Sequence, residues 1–192
     1  MTPDIEKTGK RELILQAALG LFAERGFHGS PTSAIAREAG IGVGTIYRYF
    51  QDKETLIHEL FHDLQQGFHR HLLAGYDASA PLPRRFQQLL GQLLQLFIRN
   101  PTEFRFMELY YYSPYATAAS SRLPDDQGII YQVLREAQAQ GLCKEVPMKV
   151  LEALAWGPLV ALAKENSIRR LDIKREIIDQ TARAAWDAVR QT

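Results

Sequence analysis

Residues 58–62 read His-Glu-Leu-Phe-His. This is the H-E-x-x-H spacing that sets two imidazoles on one helix face for zinc, with the intervening glutamate as general base. Zinc peptidase chemistry needs a third ligand beyond the second histidine, and none is well placed. Glutamate does not recur until Glu103, and the extended zinc signature would put glycine and histidine at Gln65 and Phe68, where this chain has Gly67 and His69 instead. His58, His62 and His69 are expected on the side of their helix opposite its apolar stripe. A metal-sensing regulator using His58, His62 and His69 is the alternative that survives and a zinc peptidase the remote one, while a histidine-rich polar face accounts for the same residues. No metal ligand, cofactor or catalytic residue is assigned, and the chain is not read as an enzyme.

A second concentration of chemistry lies at Phe104, Phe106, Met107, Tyr110, Tyr111, Tyr112 and Tyr115, aromatics at helical spacing and more of them than one core-facing stripe needs. Phe106, Met107, Tyr110 and Tyr111, together with Trp156, are expected to line a cavity for an apolar or aromatic small molecule, and the others to be core. Arg105 and Glu108 are expected at the helix surface. Cys143 stands alone, so it cannot form an intrachain disulfide, and beside Gly141 and Leu142 it reads as a helix-end residue rather than a nucleophile.

The elements that must carry these residues are helices. Leu13, Ala17 and Leu21, and Ile14, Ala18 and Phe22, recur at three- and four-residue spacing up to Gly26. Thr32 and Ser33 then precede a two-turn helix closed by Gly40, and after the Gly40-Ile41-Gly42 turn a third short helix runs from Val43 to Phe50. Asp52 is placed to cap a long fourth helix from Lys53 to about Leu73, with Leu56, Ile57, Leu60, Phe61, Leu64 and Phe68 on one face. Past a break at residues 78–81, amphipathic helices are expected near 83–99, 101–113, 126–140, 147–166 and 173–190, with Pro158 kinking the fourth of these. Asn100-Pro101-Thr102-Glu103 carries the side-chain cap, first-turn proline and returning glutamate of a helix start. No strand pattern and no internal repeat is present.

Two short helices joined by a tight glycine turn have the geometry of a helix-turn-helix, whose second helix lies in the DNA major groove. From Glu24-Arg25-Gly26-Phe27, through Thr32-Ser33-Ala34-Ile35-Ala36, to Gly44-Thr45-Ile46-Tyr47-Arg48-Tyr49-Phe50 and Lys53-Glu54-Thr55-Leu56, the sequence closely resembles the N-terminal domain of TetR-family repressors. The resemblance spans roughly a quarter of the chain. It implies that Thr32 caps the second helix and bonds a phosphate, that 42–49 is the recognition helix, and that Thr32, Ser33, Val43, Gly44, Thr45, Tyr47, Arg48, Tyr49 and Lys53 form the DNA-binding set. The residue types agree. Gly44 leaves backbone free to approach the groove, Tyr47 and Tyr49 offer hydroxyls to phosphates, Arg48 reaches a base edge or the backbone, and Lys53 lies at a helix N-terminus. Ile35, Ile46 and Phe50 are the three-helix core. Gly42 departs from the family pattern, standing where relatives often carry a capping serine.

The resemblance further implies an all-α chain with a helix-turn-helix DNA-binding domain at 1–52 and a helical ligand-binding and dimerisation domain at 53–192, the fourth helix bridging them. The implied partners are a double-stranded operator, a small-molecule effector and a second copy of the chain. That copy is expected to pair through the last two helices, which carry Leu151, Leu154, Leu159 and Leu162, then Ile173, Ile177 and Ile178 with Ala182, Ala184, Ala185 and Ala188.

Composition limits these expectations without carrying them. Across 192 residues, 46% hydrophobic and 23% charged content is that of a folded globular chain. The formal net charge is +1. Within residues 1–60, seven Lys or Arg meet eight Asp or Glu, so a DNA-binding case rests on placement and not on total charge. The N-terminus has no apolar secretory core and no apolar run approaches the length of a membrane span, so a cytoplasmic protein without membrane contact is expected.

Overall fold

The computed structural model describes residues 3–116, 128–169 and 171–191, with side chains from Gly9 onward. Its helices are α1 (Pro3–Arg25), α2 (Thr32–Glu38), α3 (Val43–Tyr49), α4 (Lys53–Leu73), α5 (Leu82–Arg99), α6 (Pro101–Tyr111), α7 (Ile129–Ala139), α8 (Met148–Arg169) and α9 (Arg175–Val189). The all-α expectation holds, and among the described residues the only extended pairing is an isolated bridge between Cys143 and Arg190. The start expected near residue 126 lies outside the described residues.

The chain divides into two compact units, one from Met1–Gln65 with Thr102–Leu123 and the other from Gln66–Pro101 with Pro124–Thr192. The division falls inside α4 and returns most of α6 to the first unit, whereas a cut after residue 52 follows the order of the helices. The cause is the aromatic content of α6. Phe106 is fully buried, its ring 6.2 Å from Phe22 and 5.9 Å from Phe27, and Tyr110 stacks on Phe61 of α4 at 3.9 Å between ring centres. These contacts extend the apolar core that Ile14, Ala18 and Phe22 of α1 make with Ile35, Ile46, Phe50, Leu56 and Ile57.

In the second unit, α5 buries Phe86, Leu89, Leu90, Leu93 and Leu94 along one face. Gly91 admits α9 closely, since a Cβ there would stand 3.6 Å from Ile178 and 4.0 Å from Ala182. Phe86 and Trp186 lie 5.4 Å apart, and Arg85 joins Tyr76 (Nε to hydroxyl, 2.7 Å) to Glu136 (3.0 Å). Part of the face expected to pair with a second copy is therefore spent within the chain. Leu151, Leu159, Ile178, Ala182 and Ala185 are buried, while Leu154 stays 37% exposed. Pro158 lies inside α8, where it cannot donate a backbone bond.

Asn100 acts differently from its expected part. It is the C-cap of α5, and its side-chain amide donates to Leu96 O at 2.8 Å, closing the helix before it. Among the described residues, no helix is long and apolar enough to cross a membrane.

Candidate nucleic-acid interface

The turn that sets α3 against α2 is built from backbone. After C-cap Ala39, Gly40 N–H donates to Arg37 O (3.2 Å) and Ile41 N–H reaches back to Ala36 O (2.9 Å), the Schellman pattern. Its geometry requires a left-handed residue, and Gly40 supplies it at φ 67°. Helix α3 then starts from Gly42, an N-cap at ordinary φ −73° that makes no side-chain bond, and ends at Phe50 in extended conformation. A side chain at position 42 would meet only Thr45 Oγ1, at 4.0 Å, so a capping serine would fit and its absence is a choice of chemistry rather than of space.

With one turn of Ile46 and Phe50 fixed in the core, the opposite side of α3 faces outward. Val43 is 38% and Tyr47 50% exposed, and Gly44 and Arg48 are exposed with them. A Cβ on Gly44 would meet nothing within 4 Å, so the space over it is open. Thr45 and Tyr49 are half-buried at the margins of this face, and Ser33 is exposed on α2.

Thr32 is not capped or capping as the family pattern implies. Pro31 is the N-cap of α2 and carries no side-chain bond; Thr32 is the first helical residue, and its hydroxyl lies 3.2 Å from the Tyr47 hydroxyl. The two donors are thereby gathered at one point, from two helices. Lys53 is half-buried and turned toward the chain: Nζ meets Phe27 O at 2.5 Å and stands 5.8 Å from the Phe22 ring, and burial lowers its pKa. One of its three ammonium donors is thus engaged. Asp52 caps α4 as expected, Oδ1 accepting from Thr55 N–H at 2.7 Å.

The H-E-x-x-H residues have partners of another kind. His58 does not share an outward face with His62. α6 packs on that side of α4, so His58 Nδ1 meets the Tyr110 hydroxyl at 2.9 Å, Nε2 lies 3.5 Å from Glu54, and the ring stands edge-on to Tyr110 and Tyr115. Glu59 is paired with Arg11 of α1 at 2.8 Å. Among the described residues no group of three His, Cys, Asp or Glu side chains could hold a metal ion.

The aromatic candidates divide. Phe106, Met107 and Tyr110 are buried in the first unit, where burial and then the neighbouring Tyr111 push the Tyr110 hydroxyl pKa up to about 12. Tyr111 is 60% exposed, and Trp156, half-buried, belongs to the second unit. Cys143 is buried, which raises its thiol pKa. Sequence patterns gave no sign of Arg11, because its partners are 48 and 52 residues away.

Residues 14–60 match the family described as "Bacterial regulatory proteins, tetR family", and residues 81–190 match "Tetracyclin repressor-like, C-terminal domain". An HTH-type transcriptional regulator of Haemophilus influenzae is 24% identical over 185 residues, covering 96% of this chain and 98% of that protein. The HTH-type transcriptional repressor KstR2 of Mycolicibacterium smegmatis is 28% identical over 153 residues, 73% of this chain and 72% of its own. A crystal structure of a tetR family transcription regulator from Shewanella sp. PV-4 superposes with a TM-score of 0.84 at 28% identity, covering 95% of this chain and 99% of that one.

Proposed function

This chain belongs to the tetR family of bacterial regulatory proteins, and from that premise we propose that it is a dimeric operator-binding repressor released from DNA by a small apolar or aromatic effector. The observation that carries the proposal is the outward face of α3, where Val43, Gly44, Tyr47 and Arg48 are presented while Ile46 and Phe50 are held in the core. Thr32, Ser33, Thr45, Tyr49 and Lys53 flank that face and complete the DNA-binding set. Phosphate contacts from the hydroxyls fix the register of α3, and Arg48 is the group with the reach and fork to meet a base edge. Among its relatives, KstR2 is named a repressor.

Functionally, residues 1–52 bind DNA and residues 53–192 bind the effector and a second copy, with α4 unbroken between Lys53 and Leu73 as the lever. The effector is assigned to Phe106, Met107, Tyr110 and Tyr111 of the first unit, and Trp156 is a separate candidate within the second. Because Phe106 and Tyr110 are closed in packing here, a ligand at these rings binds a conformation in which α6 has parted from α1 and α4, and its preference for that state is what weakens DNA binding. A coupling of about 1 to 3 kcal/mol gives roughly a five- to 150-fold loss of operator affinity. The protein acts in the cytoplasm and performs no catalysis.

Operator affinity of Tyr47→Ala and Arg48→Ala tests the assignment. Each variant is expected to bind more weakly by about five- to 100-fold, the range of one lost phosphate or base contact, with its melting temperature unchanged. Wild-type affinity in both would remove α3 from the interface.

A further inference from the structure

The guanidinium of Arg11 joins α4 to the residue that ends the recognition helix. Arg11 lies on α1. Its Nη1 donates to Asp63 at 2.8 Å and its Nη2 to Glu59 at 2.8 Å, two carboxylates one turn apart on α4. The hydrogen bond to Asp63 leads in raising the guanidinium pKa, against the opposing effect of burial, and the bond to Glu59 adds to it. The same guanidinium carbon stands 5.8 Å from the centre of the Phe50 ring. Phe50 is the C-cap of α3 and is fully buried, so it is the residue through which the end of the recognition helix is anchored.

Three properties follow from that geometry. Glu59 and Asp63 repel each other at i,i+4 spacing, and one cation between them removes the repulsion. A planar guanidinium fixes direction as well as charge, so its two nitrogens tie α1 to two successive turns of α4, which a lysine ammonium cannot reproduce with the same geometry. The guanidinium carbon stands over the Phe50 ring, so a tilt of α4 that moves the two carboxylates moves the group beside the end of α3.

We propose that Arg11 is a positioning residue for operator recognition: it sets the pose of α3 against α4 and thereby discriminates operator from other DNA, without touching DNA itself. The proposal rests on the assignment of α3 to the major groove. Its signature is a loss of specificity without a loss of general DNA affinity, because phosphate attraction depends on charge and base readout depends on pose.

The test compares full-length wild type, Arg11→Lys and the double variant Glu59→Gln, Asp63→Asn for affinity to the operator and to an unrelated duplex at one salt concentration. Measurements are made well below each melting temperature. Arg11→Lys keeps the net charge and is expected to lose about five- to tenfold in operator affinity, with binding to unrelated DNA within about twofold of wild type. The double variant, which leaves Arg11 in place and removes its partners, is expected to lower the same ratio. An unchanged ratio in Arg11→Lys, or equal losses on both duplexes, would overturn the proposal. So would tighter operator binding with an unchanged ratio in the double variant, the result expected if Arg11 were a phosphate contact held back by two acids. Arg48→Ala in the same assay keeps the two ideas apart: if it leaves operator affinity intact, the assignment of α3 has failed, whatever Arg11 does.

Discussion

Tyr47 is half exposed and yet hydrogen-bonded, its hydroxyl shared with Thr32 across the α2–α3 turn. In such a pair one hydroxyl donates to the other, and the second O–H remains free to meet a phosphate. Lys53 is more constrained, because the same ammonium that is assigned to phosphate also meets Phe27 O. Lys53→Ala is therefore expected to lower the salt slope of operator binding by about one unit and also to lower the melting temperature, since it removes the closer of two donors to Phe27 O and leaves only Ser30 N–H at 3.4 Å. A salt slope unchanged in the variant would confine Lys53 to the structural part. At this scale, what was legible in the sequence was local. Asp52 capping Thr55 is three residues of spacing and is found as expected. Lys53 to Phe27, Arg11 to Glu59 and His58 to Tyr110 join residues 26, 48 and 52 apart, and no pattern of spacing specifies such pairs. The H-E-x-x-H match shows the same limit from the other side, for its glutamate and first histidine are accounted for by α1 and α6.

Helix boundaries were read well wherever a stop signal is chemical. Gly26 and Gly40 close α1 and α2 with positive φ, and α4 spans Lys53 to Leu73 as its cap and apolar stripe indicate. What periodicity cannot give is the surface a stripe is buried against. The aromatic excess of α6 marks a helix that must be covered, but that the cover is Phe22, Phe27 and Phe61 follows only from the fold. Asn100 likewise carries the chemistry of a cap without stating which of two helices it closes. Phe106→Ala measures what this packing contributes. Removing a ring in contact with Phe22 and Phe27 is expected to destabilise the protein by about 3 to 5 kcal/mol in denaturant unfolding, and to weaken operator binding although Phe106 lies far along the chain from α3. A loss under about 1 kcal/mol would mean that the site collapses around the deletion or stands open to a ligand.

For the whole molecule, the family was legible from residues 24–56 and the order of the helices from periodicity along the chain, whereas the share of the small-residue face left over for a second copy was not, because part of it is used inside the chain. Ala182 approaches Gly91, and Ile178 does so more closely. Among the exposed residues of α8, Val150, Leu154, Gly157 and Ala161 recur at helical spacing as one stripe of apolar and small side chains. If two copies meet there, Leu154→Arg is expected to sediment as a monomer and to lose operator affinity on the order of 10²-fold or more, since two half-sites are then no longer held together. A dimer of unchanged stability would move the interface elsewhere. The most direct test of the account is selection of the full-length protein against random duplex DNA, read alongside Tyr47→Ala and Arg48→Ala. The account predicts enrichment of an inverted repeat whose half-sites are separated by about one helical turn or a multiple of it, with that enrichment lost in both α3 variants. Enrichment of no sequence, or of one that both variants select equally well, would contradict it.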